Sequence, residues 1–133
     1  QSGGFFIASI PGYKCFLELK NTMLSTDIEI YGGAYKRFQK NFSIQTISQL
    51  LKKNKFKDIL IDIDTLNFQY NSFKKLLSDI KKLGNSYILI DRKKKFENKK
   101  YFKKIEEIYW KQFSKNNKLN LTLEIIYFSG WKE

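Results

Sequence analysis

From Leu119 to Trp131 the chain alternates, with Leu119, Leu121, Leu123, Ile125 and Tyr127 set against Asn120, Thr122, Glu124 and Ile126. A period of two is the signature of a β-strand. Just before it stands the opposite pattern. Over Phe96 to Phe113, Tyr101, Phe102, Ile105, Ile108, Tyr109 and Phe113 cluster at helical spacing, until Asn116-Asn117 breaks the run. A chain holding both periods in sequence is α/β rather than all-α or all-β.

The remaining segments follow the same two rules. Phe5 to Ile10 is a short apolar run closed by Pro11-Gly12, which predicts a buried strand ending in a turn. Cys15, Leu19 and Met23 predict a short helix over Lys14 to Leu24, and the polar stretch Ser25 to Lys40, with Gly32-Gly33 inside it, predicts a mobile loop. Ser43 has helix-cap chemistry, and Ile44, Ile47, Leu50 and Leu51 form one stripe before the basic turn Lys52-Lys53. Asp58 to Phe68 alternates again, with Ile59, Ile61 and Ile63 against Leu60, Asp62 and Asp64. Ser72 to Leu83 predicts a helix with Phe73, Leu76, Leu77 and Ile80 on its apolar side and Gly84 at its C-cap, whereas Tyr87 to Ile90 is too short to settle its period. The order is strand, helix, loop, helix, strand, helix, helix, strand, with no internal repeat and no linker.

At 133 residues this is one domain or a large piece of one, and 42% hydrophobic with 17% aromatic residues is enough to form a core. The net charge of +12 falls mostly in Lys52 to Lys57, Lys81 to Arg92 and Lys93 to Lys104. Such a surface attracts nucleic acid, acidic proteins or anionic membranes in a salt-dependent way, so a non-enzymatic, basic nucleic-acid-binding α/β module is the rival functional class. Lysines at helical spacing also make an ordinary solvated face, and enrichment in Lys, Asn, Ile, Phe and Tyr fits AT-rich codons. One cysteine, Cys15, and no histidine exclude an internal disulfide, multi-cysteine or His-ligated metal sites, and Ser-His or Cys-His nucleophile pairs. No apolar run is long enough to span a bilayer. The start at Gln1-Ser2-Gly3-Gly4, without Met, leads us to expect a chain that begins mid-protein or after a cleaved tag, with residues 1–4 open to either origin.

Three stretches together resemble the class I S-adenosylmethionine-dependent methyltransferases. Gly3-Gly4-Phe5-Phe6-Ile7-Ala8-Ser9 is similar to the entry to their fifth strand. Ser43 to Leu51, with Phe56 and Ile61-Asp62-Ile63-Asp64, is similar to the late helix and strand that follow, and Leu121 to Lys132 to the terminal strand. Within that superfamily the order of Gly12, Glu18-Leu19-Lys20, Lys36-Arg37, Leu76 to Gly84, Arg92 and the closing Ile126-Tyr127-Phe128-Ser129-Gly130-Trp131-Lys132 resembles two related groups. They are the malonyl-carrier-protein methyltransferases of biotin synthesis and the complex I assembly factors that hydroxylate an arginine.

The resemblance implies the C-terminal part of a Rossmann-like class I methyltransferase sheet with a terminal antiparallel strand, as one partial domain over residues 1–133 with a cap or loop region over 13–42. It also implies that the parent uses S-adenosylmethionine on an acidic carrier protein or another protein substrate, in the cytoplasm or, in a eukaryote, the mitochondrial matrix. The glycine-rich turn and the acidic strand end that hold that cofactor have no counterpart here. No cofactor is therefore expected for this chain alone, and its uncovered sheet edge calls for a second copy or a complementing N-terminal half. Tyr13, Lys20, Tyr35, Lys36 and Arg37 are the expected substrate-binding residues, since Arg pairs phosphate or carboxylate bidentately and Tyr lines a pocket with a polar tip. No catalytic residue is assigned.

Two patterns point elsewhere. Asp62 and Asp64, two apart on a strand, could share one divalent cation, but no third ligand stands near in sequence, so solvated charge is the plainer reading. Glu18-x-Lys20 matches half of a nuclease core without the upstream acid that such a core needs. Trp110 and Trp131 lie on periodic apolar faces and are read as packing.

Overall fold

The protein is described here by a computed structural model covering residues 3–38, 41–83 and 97–133. Its elements are β1 (Phe5–Pro11), α1 (Leu17–Tyr31), α2 (Ile44–Lys53), β2 (Phe56–Tyr70), α3 (Phe73–Lys82), α4 (Lys99–Phe113), β3 (Ser114–Lys115) and β4 (Lys118–Lys132). The sheet order is β1-β4-β2, with β3 pairing β4. The last long strand therefore lies between the first two, an α/β arrangement around an antiparallel strand. Gly84, Tyr87 to Ile90, Arg92 and Phe96 lie outside the described residues.

The chain divides into two compact units. The first comprises residues 1–15, 40–66 and 122–133. In it β1 runs antiparallel to β4, from Phe5 opposite Trp131 to Pro11 opposite Ile125. β2 is antiparallel to β4 as well: Glu133 N–H donates to the Lys55 carbonyl, and the Lys57 carbonyl lies against Gly130. The Ser43 hydroxyl caps α2 by accepting the Thr46 N–H at 3.2 Å, and Ile47 and Leu51 pack with Ile126. Burying those three side chains contributes roughly 1.5 to 3 kcal/mol each. The other half of the expected α2 stripe, Ile44 and Leu50, stays exposed. So do Ile7 on β1 (69%) and Leu60 on β2 (73%), the two outer strands of the sheet among the described residues.

The second unit comprises residues 16–39 and 67–121. Here α1 and α4 pack together around Phe16, Leu19, Tyr101, Ile105 and Tyr109, with Phe73 and Leu76 of α3 also buried. Ser72 caps α3 through the Lys75 N–H, and Asn98 caps α4 through the Tyr101 N–H at 2.9 Å. The Tyr109 hydroxyl donates to the Asn120 carbonyl at 2.6 Å, which satisfies a polar tip buried among apolar groups.

Three expectations are corrected. The helix expected over Lys14 to Leu24 starts at Leu17, because residues 13–16 form a turn that ends with Phe16 in the left-handed region at φ 56°. It then runs to Tyr31, through half of the expected loop, and closes where Gly32 adopts φ 72° and its N–H returns to the Ile28 carbonyl. Apolar period failed here because the buried face of α1 is polar: Thr22, Thr26 and Asp27 are its buried residues after Leu19. Both threonine hydroxyls bond back to the carbonyl four residues earlier, which lets them be buried.

Asn116-Asn117 does more than break a helix. With φ of 51° and 56° the pair forms the tight reversal that joins β3 to β4. Along β4 the alternation also slips, since Leu119 and Leu121 are buried in one unit while Glu124 and Ile126 are buried in the other. A central strand is covered on both faces in turn, so its sequence period does not identify a single inner face.

Candidate functional site

The buried polar face of α1 positions the most highly connected polar cluster among the described residues. Asp27 has no exposed surface, and its carboxylate accepts from Arg37 Nε at 2.6 Å and Arg37 Nη2 at 2.5 Å. It also takes the Tyr101 hydroxyl at 2.7 Å and the Tyr35 N–H at 3.3 Å. The same Arg37 Nη2 reaches Glu97 at 2.7 Å, and the Tyr31 hydroxyl donates to the other oxygen of Glu97 at 2.6 Å. The guanidinium lies 4.7 Å from the centre of the Tyr101 ring and 5.7 Å from that of Tyr35, within cation–π range. One cation thus stands between two carboxylates and two aromatic faces.

The electrostatics follow from these contacts. Burial alone would raise the Asp27 carboxyl, but the hydrogen bonds from Arg37 and Tyr101 and the adjacent guanidinium outweigh it and hold it below the usual carboxylate range. Burial works against the charge on Arg37 too, and the bonds to Asp27 and Glu97 more than offset it, so the guanidinium is held more firmly charged than usual. Tyr101 is pushed up by burial and by donating to Asp27, which keeps its proton in place.

Of the five residues expected to bind substrate, four come from the second unit. Lys20, Lys36 and Arg37 line a concavity of about 240 Å³ with Met23, Asp27 and Phe38, and Tyr35 also borders it. Lys20 Nζ lies 5.8 Å from the Phe38 ring centre, and Lys36 is exposed. Tyr13 belongs to the first unit and is 67% exposed. Sequence reasoning singled out Arg37 but neither of its carboxylate partners. Asp27 was hidden in a segment read as loop, and Glu97 is sixty residues away from Arg37 with no local pattern to connect them.

Asp62 and Asp64 are exposed on β2, where Asp62 accepts the Ile63 N–H. No group of three or more His, Cys, Asp or Glu side chains with metal-site geometry occurs among the described residues. Gly32-Gly33 follows the C-terminal end of α1, the pole that presents carbonyls, whereas phosphate and carboxylate groups sit at helix N-termini. No helix among the described residues is long and apolar enough to cross a membrane.

No protein-family model matches the chain. It is 27% identical over 133 residues to the mitochondrial arginine-hydroxylase NDUFAF5 of Dictyostelium discoideum, an alignment that covers 98% of this chain and 30% of that protein. The protein of the same name from Danio rerio is 22% identical over 97% of this chain and 40% of its own length. Malonyl-[acyl-carrier protein] O-methyltransferase 1 of Ilyobacter polytropus is 27% identical over 94% of this chain and 44% of its own length. Over nearly its whole length the chain is thus similar to a C-terminal part of methyltransferase-like proteins, and it spans less than half of each of these three relatives.

Proposed function

We propose that this chain is the C-terminal portion of an S-adenosylmethionine-dependent enzyme that acts on a protein or carrier-protein substrate, and that by itself it is inactive. The observation that carries this reading is the continuous similarity to two kinds of methyltransferase-like protein, one named for arginine hydroxylation and one for methylation of a malonyl-carrier protein. The strand order supports it. Among the described residues β1 has one edge bonded to β4 and no partner on the other, so a sheet can continue from it into a polypeptide corresponding to the rest of those relatives. Ile7, Phe5 and Phe6, exposed on β1, would be covered by that addition.

In such an enzyme the cofactor would supply the transferable methyl group, and the part represented here would position the acceptor and exclude water. Tyr13, Lys20, Tyr35, Lys36 and Arg37 are the residues we assign to the substrate side. An anionic acceptor approaching Arg37 would have to compete with Glu97, the more accessible of its two carboxylates. The compartment we assign is the cytoplasm or the mitochondrial matrix.

Calorimetric titration of this chain with S-adenosylmethionine tests the first element, with no saturable binding expected. Binding tighter than about 100 μM, roughly 5.5 kcal/mol, would overturn it. Mass spectrometry of the complemented parent, offered a malonyl-carrier protein and an arginine-containing protein substrate in turn, separates the two chemistries. Product from neither would remove the enzymatic reading.

A further inference from the structure

We propose that Glu124 is a recognition carboxylate for an organic cation presented at the carboxyl end of β1. Among the described residues, Asp27 and Glu124 are the buried acids. Asp27 is saturated by a guanidinium, a phenol and a backbone N–H. Among the described residues Glu124, only 6% exposed, accepts through its side chain a single hydrogen bond, from the Lys14 N–H at 3.3 Å, and no lysine or arginine pairs with it. An ionised carboxylate offers about four acceptor sites, so most of its capacity is unused. Burying that charge without a partner is unfavourable, and a bound cation would remove the deficit.

The seat is built rather than incidental. A Cβ on Gly12 would lie 2.3 Å from Glu124 Oε1 and 2.7 Å from its Cγ, so the absence of a side chain at position 12 is what makes room for the carboxylate. Gly12 itself is fixed by three bonds: its N–H donates to the Glu124 carbonyl at 2.8 Å, and its carbonyl accepts from Asn41 Nδ2 at 2.6 Å and from the Cys15 N–H at 3.1 Å. Pro11-Gly12 is also where β1 ends. The inference rests on the proposed function only for an approach of the ligand at that end of β1. Guanidinium suits the seat best, because it loses hydration more readily than ammonium and donates through a planar fork, whereas a sulfonium brings charge without a donor.

Amide chemical shifts of this chain, titrated separately with methylguanidinium, methylammonium, trimethylsulfonium and malonate, test the assignment. Saturable shifts at Gly12 and Lys14 are expected in the order guanidinium, ammonium, sulfonium, with none for malonate. Glu124→Gln keeps the shape and the acceptor for Lys14, and should weaken methylguanidinium at least about tenfold, some 1.4 kcal/mol. Equal binding to the Gln variant, no saturable shift in the wild type, or a stronger response to malonate would each overturn the proposal. Should the variant not fold, the cation-against-anion order in the wild type still decides. Loss of cation binding beside a complemented parent that still turns over S-adenosylmethionine would remove the role of Glu124 and leave the enzymatic reading intact. Cation binding beside an inactive parent would do the reverse.

Discussion

Asp27 and Glu124 are both buried carboxylates, one in each compact unit, and their surroundings differ in kind. Asp27 is surrounded by donors drawn from two stretches of the chain: Arg37 and the Tyr35 N–H after α1, and Tyr101 on α4. Glu124 has one backbone N–H and the space left by a glycine. The first arrangement is closed. It ties the segment after Gly32 back onto α1 and α4, and Arg37 is committed to Asp27 and Glu97. The second has acceptor capacity to spare, which is the property a recognition group needs.

The largest expected effect comes from opening the closed cluster. Arg37→Ala leaves Asp27 buried with its charge opposed by only a phenol and an amide, and should cost about 3 to 5 kcal/mol in a urea unfolding experiment. A loss under about 1 kcal/mol would mean that the cluster relaxes into solvent and that Arg37 is free for another role.

A pH series sharpens the same point. Because the folded carboxyl of Asp27 is held below its ordinary range, its contribution to stability is fully present above the unfolded value of about 3.9 and is lost as the pH falls through the lower, folded value. Unfolding midpoints should therefore fall steeply below about pH 4 in the wild type and less steeply in Arg37→Ala. Parallel acid profiles would show that other carboxylates dominate.

The smallest effect probes the open site. Gly12→Ala forces a methyl group against the Glu124 side chain and should destabilise by about 1 to 3 kcal/mol, as overpacking does. Adding Glu124→Ala empties the seat and should recover part of that loss, a non-additivity expected only for residues in contact. Strictly additive thermal shifts would mean that the two side chains do not share the space.

The secondary structure was legible wherever local chemistry carries it. Ser43 caps the helix it was expected to cap, the helix predicted from Ser72 forms with that residue at its cap, and β4 occupies the segment its alternation marked. Legibility failed at α1, whose inner face carries Thr22, Thr26 and Asp27. A periodicity rule counts polar residues as solvent-facing, and these are buried because hydroxyls bond back along the helix and a distant arginine and tyrosine neutralise the acid. The same limit hid Glu124. It was read as a polar position on an alternating strand, and what buries it is the missing side chain of Gly12, 112 positions earlier along the chain.

By itself, then, the sequence determined the element types, most of their boundaries, the α/β class and the resemblance to the end of a methyltransferase domain, all of which depend on patterns within some fifteen residues or on their order. Tertiary structure alone decided which acids are buried, which of them are paired, and that Arg37 is held between two carboxylates. Those outcomes depend on side chains far apart in sequence meeting within hydrogen-bond distance, where burial makes a paired charge stable and an unpaired one available.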